Sequence, residues 1–165
     1  MKLKLLITAL LGLVNVNSAQ ACLADGGVDG AIFATPQGTF EVAVAFHHAE
    51  LDGMMTRSNR SNWATVQYLM LQKMTDQYDG ETFDITLFDA SGQHFYRLLA
   101  DGERIAIRAH EVPKDQYQGV VVTDIDVIVS MVRGQISFEM AQKLGVIVNS
   151  DLSSDFEHLM TVSFI

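Results

Sequence analysis

The sequence predicts an α+β fold, an antiparallel-rich sheet made of a meander and further strands, packed against helices. Three observations predict it. Three short segments follow one another between Thr82 and His110, divided by the turn residues Ala90-Ser91-Gly92 and Asp101-Gly102. Before them, Asn62–Tyr78 repeats apolar residues at three- and four-residue steps. After them come segments punctuated by helix caps and glycines.

The chain opens with Lys2 and Lys4, runs apolar from Leu5 to Val14, and reaches the small-residue ending Ala19-Gln20-Ala21. This is the three-part pattern of an export signal over 1–21, and its apolar run is too short to span a bilayer. The only cysteine, Cys22, follows the expected cut. Two routes stay open. Ordinary signal peptidase would leave a soluble protein, whereas Ser18-Ala19-Gln20-Ala21-Cys22 also satisfies a tolerant form of the bacterial lipoprotein pattern. Cys22 is thus a lipidation candidate and, if acylated, a membrane tether. Residues 22–37, with Gly26, Gly27 and Gly30, read as a flexible linker, and 38–165 as a single domain. The expected location is the bacterial periplasm, soluble or lipid-anchored.

Gly38–His48 places Phe40, Val42, Val44 and Phe46 in alternation, which reads as a strand, although its alanines leave a helix open. In the helix expected over Asn62–Tyr78, Trp63, Val66, Met70 and Met74 share a face, and Ser61 or Asn62 can accept the unpaired first-turn N–H groups. Thr82–Asp89, Gln93–Ala100 and Glu103–His110 form the meander, with Asp101-Gly102 suited to a hairpin because both residues tolerate positive φ. Gly119–Thr123 is too uniformly apolar for an exposed strand.

Asp124–Arg133 is rich in β-branched residues, and propensity alone favours a strand. Its flanks argue for a helix: Thr123 or Asp124 can cap it and Gly134 can end it. Ser137 caps a short helix over Phe138–Leu144 that stops at Gly145. A short buried strand at Val146–Asn149 and a helix over Leu152–Met160 complete the chain.

Acidic side chains outnumber basic ones by 20 to 11, a formal net charge of −9 that becomes two units more negative when Lys2 and Lys4 leave with the leader. Such a surface repels phosphate backbones, and no basic patch interleaved with aromatics appears, so no nucleic-acid partner is expected. A lone cysteine permits no internal disulfide, and stability must come from packing.

The stretch Val120–Val148 resembles the sterol-carrier-protein-type domain. A helix begins at Asp124, Gly134 makes a turn, Ala141 lies on a short helix, and Gly145 leads into Val146-Ile147-Val148. The resemblance is strong over those residues and looser over Asn62–Met160. It speaks to fold more than to activity, because its motif is mainly turn glycines and one small residue. It implies an apolar space between sheet and helices that takes a lipid or other hydrophobic molecule. The lining would then come from Val127, Met131, Phe138, Leu144 and Ile147, with Phe83, Ile85 and Leu87 or their opposite faces. The same residues at helical spacing are equally what a packed core requires. Family carriers work inside cells, so the ligand does not transfer to an exported chain.

Chemical motifs are sparse. His47 and His48, adjacent on a strand, would point to opposite faces, and His94 and His110 would meet only if their strands share a face. No H-E-x-x-H, no cysteine pair, no G-x-S-x-G elbow and no phosphate-cradling glycine loop is present. Asp124 and Asp126 fit a helix N-terminus. Asp84 and Asp89 bracket a strand and are expected at its solvent side or end. Arg57, Arg60, Arg97, Arg104 and Arg108 offer a local anion site, though solvated faces explain them more simply.

The expected protein is therefore non-enzymatic, without cofactor or metal, and binds a small apolar ligand such as a lipid. The alternatives are a periplasmic accessory or assembly protein acting through a protein partner, and a small metal-dependent enzyme using His94 and His110. An enclosed apolar cavity on the order of several hundred Å³ marks a carrier. A filled core with an exposed apolar patch marks the accessory protein. Convergent histidines with a carboxylate in a cleft mark the enzyme.

Overall fold

The computed structural model describes residues 35–58, 63–113 and 119–165. The export signal, Cys22, nearly all of the tether, Arg60 and the Ser61/Asn62 cap lie outside them. The described elements are α1 (Thr39–Leu51), α2 (Trp63–Gln77), β1 (Thr82–Asp89), β2 (His94–Asp101), β3 (Ile105–Ala109), β4 (Val120–Thr123), α3 (Ile125–Val132), α4 (Phe138–Lys143), β5 (Ile147–Val148) and α5 (Ser154–Ser163). A short 3₁₀ turn, Ser150–Leu152, precedes α5.

The fold is α+β. One five-stranded sheet runs β3-β2-β1-β4-β5, antiparallel throughout except where β4 lies parallel to β1. The meander is as the turns predict. Phe83, Ile85 and Leu87 of β1 stand opposite Ala100, Leu98 and Tyr96 of β2 on one face. That face meets Met70 and Met74 of α2, Val127 and Met131 of α3, and Phe156 and Met160 of α5 in the main core. The opposite face carries a smaller cluster at its β1–β4 end, where Phe88, Phe95, Val120 and Val122 surround Val42 of α1. β4 is buried at every residue, its three valines and Thr123 alike, because both of its faces are covered.

The strand reading of Gly38–His48 is corrected: these residues form α1. Alternation and helical spacing share every fourth residue, so Val42 and Phe46 are buried in either geometry. Ala49 completes the inward face one turn later. Phe40 and Val44, which a strand would bury beside them, point outward instead. Gly38 sets the entry, with φ near 95°, and a Cβ there would stand 2.6 Å from Val148 Cγ2.

α3 is helical despite its β-branched residues. Asp124 accepts the Asp126 N–H at 2.9 Å, and Gly134 follows with φ near 69°. Packing on all sides outweighs the intrinsic preference: every residue from Ile125 to Met131 is buried. Ser137 likewise accepts the Met140 N–H to start α4, and Ser153 the Phe156 N–H to start α5. The last helix begins two residues later than the periodicity places it, because Ser150–Leu152 forms its own turn.

Candidate functional site

The five residues assigned to a ligand pocket lie in packed interior. Val127, Met131, Phe138 and Ile147 are buried and Leu144 is partly buried against the same core. Among the described residues, one interior cavity lies under the other flank of α3. Ile125 and Ile128 of α3, Met70 of α2, and Leu87, Tyr96 and Leu98 of the sheet border a cavity of about 20 Å³. A single water needs roughly 10–15 Å³ by the same measure. Helical spacing in the sequence shows that α3 has two apolar flanks; it does not say which one faces incomplete packing.

Three carboxylates gather where β1 and β4 end and α3 begins. Asp89 is 4 % exposed, Asp124 2 % and Asp126 1 %. Asp89, expected at the solvent side or the end of its strand, does end β1 but is buried there. Its Oδ1 accepts from the Ile125 N–H at 3.1 Å, the Ser91 hydroxyl at 3.1 Å and the Ser91 N–H at 3.3 Å. One carboxylate thereby holds the β1–β2 turn and the first turn of α3. A Cβ at position 92 would overlap Asp89 Oδ2, which makes Gly92 a requirement of this packing. Asp126 Oδ1 accepts from the backbone and hydroxyl of Ser58, tying the segment after α1 to α3.

Burial, reinforced by the charges of Asp89 and Asp126, pushes the Asp124 carboxyl above its ordinary value of 3.8. The folded state therefore holds this proton more tightly than the unfolded chain. The favourable contribution is complete below the ordinary value and is lost as pH rises through the raised one. Asp124→Asn keeps the capping oxygen and removes the buried charge. It is expected to melt higher than wild type at pH 7, with the difference closing as pH falls below about 4. Thermal melts across that range check it; an unchanged difference at low pH would refute the ionisation account.

The histidines divide. His94 and His110 do meet, their rings 5.0 Å apart and nearly perpendicular, because the His110 N–H donates to Phe95 O beside the start of β2. Among the described residues, however, no group of three or more His, Cys, Asp or Glu is arranged to hold a metal. His47 and His48 sit on a helix, not a strand, and both are exposed.

The arginines are engaged with acids. Arg97 grips Asp84 through two nitrogens, at 2.8 and 2.6 Å, and reaches Glu111 at 3.2 Å, while Arg108 also reaches Glu111 at 3.3 Å. Arg97 holds Asp84 and Glu111 below their ordinary values. Arg104 pairs with Asp101, and Arg57 lies over the Phe46 ring with Glu50 at 3.4 Å. Arg60 lies outside the described residues, and the others do not converge on an open anion site.

The most conspicuous surface feature is on α1. Phe40 is 77 % exposed, Leu51 70 % and Val44 38 %, and with His47 they occupy one stripe at spacings of four, three and four. The stripe lies opposite Val42, Phe46 and Ala49, so α1 is apolar on both sides. Met54, just beyond the helix, is also exposed. Read as a strand, this segment gave no sign of the stripe; the signal was the recurrence of apolar residues on two helical faces. No described helix is long and apolar enough to cross a membrane.

With this α+β fold and α1 surface described, the chain was compared with known proteins. It matches no protein-family profile, no curated protein and no solved structure.

Proposed function

We propose that this chain is an exported, non-enzymatic accessory protein that acts through a protein partner, using the outer face of α1. The observation that carries this reading is the stripe of Phe40, Val44 and Leu51, left bare on a helix whose other face is buried. An isolated exposed leucine needs no explanation, but an aligned apolar set on one element marks a contact surface. The described cavity beneath α3, at about 20 Å³, has no room for a lipid as it stands.

The second reading is the apolar-ligand carrier. It is favoured by the position of that cavity, between sheet and helices, where the likeness to sterol-carrier domains leads one to look. Its occupancy would require α2 and α3 to part around the flexible Met70 side chain. Native and denatured masses of the protein purified from its own host separate the two. A bound apolar molecule lost on denaturation supports the carrier. The denatured mass also reports whether Cys22 is acylated.

The accessory reading has its own test, a photo-crosslinking residue at Val44 in the living host. A covalent product with another protein chain, absent when the crosslinker replaces the exposed Glu139 on α4, is the expected result. Absence of any protein product at Val44 would overturn the reading.

A further inference from the structure

Resting on the reading of α1 as a contact surface, we propose that its occupant is a second copy of this chain, the two α1 helices packing antiparallel about a twofold axis. The stripe is self-complementary in that arrangement. The spacings of four, three and four read the same in both directions, so with the axis at the stripe's centre, between Ala45 and Phe46, each Phe40 meets the other copy's Leu51. Val44 meets His47 in the same way, twice, nearer the axis. The small imidazole is bordered by apolar groups on both sides and keeps its polar edge toward the rim.

The flanks agree with this register. Glu41 and His48 project on one side of the stripe and Ala43 and Glu50 on the other. Antiparallel packing under a twofold axis sets like flank against like flank. Glu41 of one copy then lies within about 3 Å along the axis of His48 of the other, where the carboxylate can accept an imidazole N–H. Glu50 faces the methyl group of Ala43 and keeps its pairing with Arg57. A parallel arrangement would instead set the Glu41 and His48 flank against the Ala43 and Glu50 flank. The antiparallel pair thus sets Glu41 beside a hydrogen-bond donor and no carboxylate beside another.

The contact is small. A helix about 20 Å long buries less than the roughly 800 Å² per partner of a standard interface, so the dimer is weak and reversible. The expected dissociation constant is on the order of 100 µM.

Sedimentation equilibrium on the protein purified from its own host, up to about 1 mM, tests it. The mean mass is expected to rise with concentration toward twice that of the chain. Leu51→Glu and Phe40→Glu, both on exposed positions, should each weaken association at least tenfold with unchanged circular dichroism. His48→Glu should weaken it as well, and the exchange Glu41→Lys with His48→Glu should restore it. A monomer throughout, or a dimer indifferent to Phe40→Glu and Leu51→Glu, overturns the proposal. A monomer in solution whose Val44 crosslinks to a different protein would overturn it while leaving the accessory reading in place. A monomer with no crosslink would remove both.

Discussion

Phe138→Ala is expected to destabilise the protein by about 3–5 kcal/mol, the usual cost of emptying a buried aromatic site. Phe138 is fully buried and begins α4 directly after its Ser137 cap. Its ring stands edge-on to Phe156 with centroids 6.4 Å apart, and Phe156 stands edge-on to Phe83 of β1 at 5.6 Å. The three rings connect α4, α5 and the sheet. The Phe138 N–H also donates to Phe164 O at 2.8 Å, closing the chain's end over the same region. Truncation removes the ring without removing that bond, so the loss is one of packing. Because domains of this size hold only about 5–15 kcal/mol in total, the variant should be near its unfolding threshold. Urea unfolding of both proteins measures the difference. A loss under about 1 kcal/mol would show that the ring borders adaptable space, and would move the functional reading from the accessory protein to the carrier.

Asp89→Ala is expected to cost about 2–3 kcal/mol, with Asp89→Asn costing distinctly less. The alanine variant leaves the buried Ile125 N–H without its acceptor, whereas the Ser91 donors sit on an exposed turn residue and can turn to water. The loss is partly offset because a charge near Asp124 disappears. Asparagine keeps an oxygen at the same place and removes the same charge, so it isolates the hydrogen bonds from the electrostatics. Either variant should also bring the Asp124 carboxyl down toward its ordinary value, readable by carbon NMR titration. Combining Asp89→Ala with Asp124→Asn should give a non-additive result, since the two groups share one buried environment. Equal losses for alanine and asparagine would refute the account of Asp89 as an acceptor that joins β1 to α3.

The carboxylate cluster has a structural role that single-residue reading divides wrongly. Asp124 and Asp126 were legible as helix-start acids because their partners are local in sequence: the Asp126 N–H is two residues from Asp124. Asp89 was not, because its decisive bond reaches Ile125, 36 residues away. Ser58 is joined to Asp126 across 68 residues. Nothing in the loop containing Ser58 announces that pairing. The same division holds for the histidines, whose spacing left their meeting open until β2 and β3 were placed in register.

From the sequence alone came the features set by local chemistry. The meander follows from alternation and turn residues, α2 and the approximate place of α5 from their apolar pattern, and α3 and α4 from side-chain oxygens placed to accept first-turn N–H groups. The tertiary structure alone decided matters that depend on what lies opposite. It made 39–51 a helix, since Phe40, Val42, Val44 and Phe46 fit either period until a surface accepts only two of them. It set β4 parallel beside β1, buried Asp89, and chose which flank of α3 faces the small cavity and which the filled core. Local hydrogen bonding and periodicity are encoded within a few residues, whereas packing complementarity is a property of pairs distant in the chain.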